Sequence, residues 1–583
     1  MLRQGLVERI FCGQELIAGK TGENMQNFWE KLINELTGFQ KKDNSLIGWE
    51  AVEVSRDSFQ KLYVGDEKKG LVSHQEREVN EKSYSLKIYK NIQDKLSMDY
   101  PHARVMTEEI ATVHHLGEPR NDGKGNPSVS PLTGGKEIAC NDGKGRDAQV
   151  GRLYGEGNEE GNHPVRLATC GGRDITSIEG NGNFEITCND ELQHREITTV
   201  GIGEIELNPF EDAKKQIEEA CQIARGSKNV YWELLKNTGQ KYKEVLTADT
   251  KIWEDQEKVF CELESQACAE ILAQQKVHVN TAELYVNRAI IKRLTGTGIF
   301  TEKKTSDIYF EIVMEKKGCV NDKEVNNVRT SVAAADLKIR DFIHSCAEET
   351  LSLGVTEEPK TSKNVSVIIH EDAISSLLAA VRDQLFCSME FYKYPYLKSG
   401  DAVYCGELHG DRVNLVLDPF LSEMAESCAW TVDGAPSLSA LVIKDSIVQA
   451  QIIDNRYGQY LKKEPNGISG NMVLAPGKVK SEDLYSMADE VLEIVSFSSL
   501  LVDEQRLTWS SEIKFAKLYK KGKLAALIKG GVVSGSIKDN LSDCVFSKEI
   551  AIVNFPGNQF ASKKGYVGPK RMLVRKGVAV AGR

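Results

Sequence analysis

One stretch of the sequence decides the fold prediction: residues 440–484, ALVIKDSIVQAQIIDNRYGQYLKKEPNGISGNMVLAPGKVKSEDL. Residues 441–443 and 447–453 are rich in β-branched residues and are joined by the polar Lys444, Asp445 and Ser446, which predicts a β-hairpin. After the polar segment 455–470, residues 472–474 predict another short strand. The Pro476-Gly477 turn and a helix start at Ser481 follow. The C-terminal third is therefore predicted to be rich in antiparallel strands.

Outside this stretch, composition bounds the possible classes of protein. The chain has 583 residues, 40% hydrophobic and 27% charged, with a net charge of −11. This length predicts more than one domain, and the acidic balance argues against nucleic acid as the main partner. No apolar run reaches the roughly 20 residues that a membrane-spanning helix needs. The first residues do not make a convincing signal peptide, and the thirteen cysteines contain no CxxC pair. We therefore expect a cytoplasmic protein with mostly free thiols.

The first part of the chain predicts mixed helices and strands. Helical spacing of apolar residues occurs in residues 24–36, 210–225, 250–274 and 326–353, and alternation typical of strands in residues 51–89, 276–285 and 287–313. Residues 107–205 differ because glycine and asparagine are dense and NDGKG occurs twice. Turns explain this repeat better than calcium, since the full ligand series of a calcium loop is missing.

A domain division follows from these patterns. Residues 1–106 and 206–358 are predicted to form an N-terminal α/β domain that is interrupted by a β-rich insertion at 107–205. A linker at 356–363 leads to a mostly antiparallel β domain at 359–583. The fold class predicted for the whole chain is α+β.

Several short motifs in the last third carry a family resemblance. In chain order they are Ile443-Lys444-Asp445, Asp454-Asn455-Arg456-Tyr457, Ser469-Gly470-Asn471, Pro476-Gly477, Gly522-Lys523, residues 535–540 and residues 577–582. Their order and spacing resemble the C-terminal domain of the TldD/PmbA family, which includes the proteins called modulators of DNA gyrase. The resemblance covers roughly residues 360 to 583, and that family is implicated in metal-dependent proteolysis.

The pair His370-Glu371 is relevant to whether the chain can bind a catalytic zinc ion. Residues 365–369 predict a buried strand and residues 371–381 a helix, so the pair lies at the start of a helix, as in zinc peptidases. The HExxH pattern would need histidine at Ile374, and the HExxxH pattern of the family's catalytic branch would need it at Ser375. That branch also uses a cysteine in a segment comparable to residues 470–477, where none occurs. His370 is therefore more simply a residue at the end of a strand.

A second group of potential metal ligands lies in residues 405–409, CGELH. On a strand, Cys405, Glu407 and His409 would point to one face and could bind a metal, although the surface of a hairpin is the commoner explanation. The weak metal candidates are thus His370, Cys405 and His409.

The resemblance also provides candidates for substrate contact. Asp433 and Gly434 occupy the place of an acidic turn of the family, shortened here. Asn455, Ser469, Gly470 and Asn471 belong to the motifs given above.

The resemblance is strongest to the family's non-catalytic PmbA/TldE branch. It implies a subunit with no cofactor of its own that pairs with a TldD-type partner bearing zinc, or that self-associates, and that helps to enclose and bind extended peptides. Two alternatives remain open. One is an autonomous zinc peptidase that uses His370, His409 and Cys405. The other is a non-enzymatic scaffold that binds a partner through residues 107–205.

Overall fold

The structure, a computed structural model, describes residues 28–66, 70–92, 199–318, 324–352, 356–557 and 563–582. Within these ranges the chain has the α+β fold that the sequence predicts. Helices cover one sheet in the N-terminal part, and two further sheets dominate the C-terminal part.

The N-terminal part contains a seven-stranded sheet. Its members are β1 (Leu46–Asp66), β2 (Gly70–Ile92), β3 (Thr199–Leu207), β4 (Asn229–Val230), β5 (Val277–Thr295), β6 (Phe300–Lys316) and β7 (Glu324–Ser331). The spatial order is β4-β3-β2-β1-β5-β6-β7. The antiparallel pairs β1–β2, β1–β5, β5–β6 and β6–β7 leave β7 at one edge.

Among the described residues, five helices accompany this sheet: α1 (Phe28–Lys42), α2 (Ala213–Gly226), α3 (Thr250–Glu254), α4 (Gln256–Ala273) and α5 (Ile339–Ser352). Apolar residues of α1 and α2 pack with Leu86 and Ile88 of β2. Those of α4 and α5 pack with Leu284 of β5 and Phe310 of β6. A short 3-10 helix, Ala334–Leu337, leads into α5.

The C-terminal part contains four helices and sixteen strands among the described residues. The helices are α6 (Glu371–Asp383), α7 (Cys387–Phe391), α8 (Asn455–Leu461) and α9 (Ile537–Ser542). The strands are β8 (Ser362–Lys363), β9 (Val367–His370), β10 (Leu415–Asp418), β11 (Ala440–Lys444), β12 (Ile447–Val448), β13 (Asn471–Leu474), β14 (Glu490–Phe497), β15 (Leu501–Asp503), β16 (Thr508–Lys520), β17 (Lys523–Ile528), β18 (Val532–Ser536), β19 (Cys544–Phe546), β20 (Ile550–Phe555), β21 (Lys564–Pro569), β22 (Arg571–Val574) and β23 (Val578–Ala581).

These strands form two sheets that share one core. One has the order β12-β11-β10-β13-β21-β20, and the other the order β19-β22-β9-β14-β16-β18-β23-β8, with β15 and β17 also paired to β16. Buried Ile374, Leu377 and Leu378 of α6 belong to the same core as side chains of both sheets. The apolar stripe of α6 therefore fixes the position of the helix start at which His370 lies.

The hairpin predicted from residues 441–453 is confirmed, with a shorter second strand. Ile443 pairs with Val448 and Lys444 with Ile447, which leaves Asp445 and Ser446 as the turn. Both have positive φ, 51° and 65°, as a type I′ turn requires. The Ser446 hydroxyl accepts a hydrogen bond from the Val413 amide at 2.9 Å, which holds the turn against the segment that precedes β10.

Two predicted helical segments are only partly helical. Residues 326–353 were expected to be helical, but Glu324–Ser331 is strand β7 and only Ile339–Ser352 forms a long helix. Strand β6 provides the backbone partners of β7. The spacing of apolar residues within residues 326–353 does not reveal this pairing. After Ser481, the chain forms only the 3-10 turn Asp483–Ser486.

The structure describes the whole of the predicted linker but only the last residues of the predicted insertion. In the linker, Glu357 bonds to the backbone of Leu527 and Lys529, and Ser362–Lys363 is strand β8. Residues 107–198 of the predicted insertion lie outside the described residues, and residues 199–205 belong to β3. None of the helices in the described ranges combines the length and hydrophobicity that a membrane crossing requires.

Candidate functional site

The candidate site lies where strand β9 passes directly into helix α6. Val367, Ile368 and Ile369 are buried, and His370 is both the last residue of β9 and the residue before the first turn of α6. The next residues, Glu371 and Asp372, place negative charge at the helix N-terminus, where the helix dipole favours it. The prediction of a strand followed by a helix is thus confirmed.

His370 is tied to a buried carboxylate. Its Nε2 lies 3.1 Å from Oε1 of Glu493, a residue of β14 that is only 3% exposed. The Tyr485 hydroxyl donates to the same oxygen at 2.6 Å, and the Tyr519 hydroxyl donates to Oε2 at 3.3 Å. Arg571 of β22 places Nη2 3.5 Å from Oε1. His370 therefore belongs to a polar network centred on Glu493.

The charges in this network shift its pKa values. Burial alone would raise the pKa of Glu493, but the hydrogen bonds and charges of His370, Tyr485 and Arg571 lower it to about 2. Burial, the Glu493 charge and its hydrogen bond together raise the pKa of Tyr519 to about 12. The same causes raise the pKa of Tyr485. Glu493 is thus an ionised acceptor and both tyrosines are neutral donors near neutral pH.

A second polar group lies on the other side of the helix start. Lys564 of β21 donates from Nζ to the Ser376 hydroxyl at 2.9 Å, and burial lowers the pKa of Lys564. Asp372 is solvent-accessible yet closely surrounded by protein, and desolvation and the charge of Glu371 raise its pKa. Within the described part of the chain, Glu371 has a buried Oε2 without a hydrogen-bond partner.

The residues at this helix start do not fit a catalytic zinc ion. Ser375, which stands where the family's catalytic branch has its second histidine, is fully buried, and its hydroxyl donates to the Asp372 carbonyl at 2.8 Å. His370 is the remaining member of the expected set, and its Nε2 is bonded to Glu493. A catalytic zinc site usually has three protein ligands. In the described ranges, no three His, Cys, Asp or Glu side chains are grouped to hold a metal.

The prediction that Cys405, Glu407 and His409 lie on a strand is wrong. Residues 403–410 form neither helix nor strand, because the backbone bonds irregularly to α9 and the residues after it: Cys405 N to Lys538 O, and His409 N to Ser542 O. Cys405 and His409 are exposed, and His409 Nε2 lies 3.6 Å from Glu407 Oε2. The structure does not gather these side chains with His370 into a metal-binding group among the described residues.

Three of the substrate-contact candidates meet at a segment of the same chain, residues 231–247, which has no helix or strand. Asp433 Oδ2 accepts from the Asn455 amide at 2.9 Å, and Asn455 Nδ2 donates to the Glu233 carbonyl at 2.9 Å. The Gly434 carbonyl accepts from the Tyr242 hydroxyl at 2.8 Å. Asp433, Gly434 and Asn455 therefore hold the 231–247 segment.

The other three candidates lie apart and stabilise the fold around β13. Ser469 bonds to the Ser437 hydroxyl at 3.1 Å. Gly470 has φ 107°, and a Cβ there would lie 2.2 Å from Pro419 N, so only glycine fits. Asn471 is fully buried and bonds to the Asp418 carbonyl, the Ser427 hydroxyl and the Glu426 amide at 2.8–3.0 Å. It thereby clamps the loop after β10.

Replacing Asn471 by alanine is expected to destabilise the C-terminal part by about 2 kcal/mol, because one buried and two partly buried polar groups would lose their partner. The measurement is the urea midpoint followed by circular dichroism. Asn414 provides the control Asn414→Ala, because its side chain also bonds to backbone, to the Asp445 amide at 2.9 Å and the Arg412 carbonyl at 3.5 Å, but both bonds lie at the exposed surface. Equal midpoints for the two variants would contradict the clamp.

Sequence reasoning missed Glu493, Tyr485, Arg571 and Lys564. A charged residue amid the apolar positions of EVLEIVSF was the available signal for Glu493, because a charge inside a strand core needs a partner. Lys564 and Arg571 carried no local signal. They meet the helix start only through the pairing of β21 and β22 with distant strands.

The C-terminal part of the chain is similar to a known family of domains. Residues 362–582 match the model of the PmbA/TldA metallopeptidase C-terminal domain. A comparison with curated proteins finds no match.

Solved structures share the fold over nearly the whole chain. A candidate modulator of DNA gyrase from Bacteroides thetaiotaomicron superposes with a TM-score of 0.63 at 13% identity, covering 95% of this chain and 99% of that one. TldE from Thermococcus kodakarensis gives 0.59 at 13% identity, with 94% and 100% covered. A second candidate gyrase modulator, from Thermotoga maritima, gives 0.56 at 14% identity, with 95% and 99% covered.

Proposed function

We propose that the chain is a PmbA/TldE-type subunit that lacks a zinc centre of its own, because residues 362–582 match the model of the PmbA/TldA metallopeptidase C-terminal domain. It acts in the cytoplasm with a TldD-type partner that carries the zinc and cleaves peptides. Its contribution is to help enclose the reaction space and to bind extended substrates.

One observation carries this proposal: the chemical identity and bonding of the residues at the start of α6. The position of the second histidine holds Ser375, bonded to the Asp372 carbonyl, and His370 is bonded to Glu493. A buried ion-pair network occupies one side of the helix start, where a zinc peptidase needs free ligands. The cleavage chemistry must then come from another chain.

The organisation of the C-terminal sheets supports a role in binding extended chains. Sheets with terminal strands such as β12, β20 and β8 can pair with an extended peptide through backbone groups, without demanding particular side chains. The same domain also binds backbone through side chains, since the side-chain amides of Asn455 and Gln459 both donate to the Glu233 carbonyl.

The test compares the purified chain alone with the chain co-expressed with a TldD-type subunit from the same genome. We expect the single chain to contain no stoichiometric zinc and to leave a fluorogenic casein peptide intact. The pair should contain about one zinc ion and cleave the peptide. Elemental analysis and the rate of hydrolysis are the readouts.

The double variant Cys405→Ser/His409→Ala separates this proposal from an autonomous zinc peptidase. Both side chains are exposed, so their replacement should not disturb the fold. We expect the zinc content and activity of the pair to be unchanged. Zinc and hydrolysis in the single chain, lost in this variant, would overturn the proposal. Absence of any complex with a TldD-type subunit would overturn the assignment of a partner and favour a binding scaffold.

A further inference from the structure

A trough of about 690 Å³ lies on the outward face of the larger C-terminal sheet, and neither the zinc chemistry nor the network at Glu493 involves it. It is bounded by β15 on one side and by Lys363 and Asn364 of the β8 region on the other. Its volume lies in the range of ordinary ligand sites. Residues of two sequence motifs that carry the family resemblance, those beginning at Gly535 and Gly577, line it together with residues 508–510.

Strand register shows which side chains form its floor. Directly paired residues project to the same face of a sheet, so each row of partners forms a line across the strands. One row runs from Leu501 through Ser510, Ser534 and Ala579 to Lys363. The next runs from Asp503 through Thr508 to Ser536, beside Gly577. The floor between the two rims is therefore made of hydroxyl-bearing and very small residues.

The residues between these rows point into the core and hold the floor in place. Trp509 pairs with Gly535, is 3% exposed, and donates from Nε1 to Asn540 Oδ1 at 2.7 Å. A Cβ on Gly535 would lie 2.5 Å from the Trp509 Nε1 atom, so only glycine fits at position 535. The trough is thus a preformed surface.

Its two rims carry opposite charges. Asp503 has a carboxylate that is 43% exposed and accepts from the Gln505 and Arg506 amides, and Arg506 Nε lies 3.9 Å away. Lys363 is exposed on the opposite rim. The rims lie on the first and the last of five neighbouring strands, and four strand spacings of about 4.8 Å give roughly 19 Å. An extended peptide rises about 3.3 Å per residue, so about six residues span this distance.

We propose that the trough binds short peptides of about six residues in extended form, with the amino terminus at Asp503 and the carboxylate at Lys363. Serine and threonine hydroxyls both donate and accept, so the floor can bind peptide amides and carbonyls without selecting side chains. Peptides with small side chains fit the flat floor of the trough. This inference rests on the proposed function in naming peptides as ligands, and it narrows the substrate class to short peptides with free termini.

The experiment is titration calorimetry of the purified single chain with a hexapeptide of alternating alanine and glycine. Ala579→Trp fills the floor of the trough, and Ala525→Trp makes the same change at an exposed position of β17 outside it. We expect at least a tenfold loss of affinity for Ala579→Trp and none for Ala525→Trp, with unchanged circular dichroism for both. Equal affinities, or no binding by the unsubstituted chain, would overturn the proposal.

The role of the rims is tested by the peptide termini. Acetylating the amino end or amidating the carboxyl end should each weaken binding by up to about fivefold, the scale of an exposed ion pair. In Lys363→Gln, amidation should make no further difference, while acetylation should still weaken binding. A tripeptide of the same composition cannot reach both rims and should bind more weakly.

Maltohexaose tests a different ligand class, because hydroxyl-lined grooves can also bind sugars. Binding of maltohexaose in place of the hexapeptide would overturn the assignment to peptides. All these measurements use the single chain without a TldD-type partner. A result that the trough binds no peptide is therefore distinguishable from a result that the chain forms no complex with a TldD-type subunit.

Discussion

Replacing Glu493 by alanine is expected to lower the free energy of unfolding of the C-terminal domain by about 3–5 kcal/mol, the usual cost of breaking a buried charge network on one side. The carboxylate is the common partner of His370, Tyr485, Tyr519 and Arg571. Arg571 already has, among the described residues, a buried Nε without a hydrogen-bond partner. Without Glu493, its guanidinium would lose a compensating charge in a buried place.

The pH dependence of this contribution has a definite sign. The pKa of Glu493 is about 2 in the folded protein and 4.5 without these interactions, so the unfolded chain binds more protons between these values. The stabilisation is therefore complete above about pH 4.5 and is lost as the pH falls from 4.5 towards 2. This difference in pKa corresponds to about 3 kcal/mol.

The measurement is chemical unfolding of the unsubstituted chain and of the Glu493 variant at several pH values. The gap between their stabilities should be largest near neutral pH and should shrink below about pH 4.5. Glu490 on the same strand is the control, because its pair with Lys520 is exposed on both sides. Glu490→Ala should change stability by less than about 1 kcal/mol. A pH-independent gap, or equal effects of the two variants, would contradict the network.

Replacing Trp232 by alanine is expected to release the 231–247 segment, at a cost of about 3–5 kcal/mol. Trp232 is 5% exposed and packs edge-on against Tyr89 and Tyr460, with the Arg456 guanidinium 4.4 Å from its ring centroid. The residues that follow it are mostly exposed and are held by side-chain hydrogen bonds. The indole is therefore the main apolar anchor at the start of this segment.

Limited trypsin digestion measures this release, because exposed Lys236, Lys241 and Lys243 lie within the segment. A cost of about 3 kcal/mol should raise the rate of cleavage at these sites by roughly a hundredfold when opening precedes cleavage. Mass spectrometry identifies the cut sites, which separates them from cleavage elsewhere. Tyr231, the neighbour that is 39% exposed, provides the control Tyr231→Ala, which should be cleaved like the unsubstituted chain. Equal rates for both variants would show that Trp232 is not the anchor.

The 231–247 segment and the trough bear on peptide binding in different ways. Asp433, Gly434 and Asn455 hold a segment of the same chain, so a peptide could reach them only if that segment moved. The trough is open and already shaped. The two groups of residues are therefore separable by the variants described above.

Local pattern was sufficient for much of the fold. The hairpin at 440–448, the helices at 213–226 and 256–273, and the passage from strand to helix at His370 all follow from spacing and turn chemistry within a few residues. Strand β7 and the irregular 403–410 loop did not follow. The backbone partners of β7 come from β6. Those of residues 405–410 come from Lys538 and Ser542, more than a hundred positions away.

The sequence by itself determined the α+β class, the family resemblance of the last third, and the absence of histidine at position 375. These depend on residue identity and on short-range periodicity. Only the tertiary structure decided that His370 is bonded to Glu493, that Lys564 faces Ser376, and that the motifs beginning at Gly535 and Gly577 share one trough with Lys363 and Asp503. Each of these contacts joins residues that are far apart in the chain. Their proximity is set by sheet order and register, which no local pattern encodes.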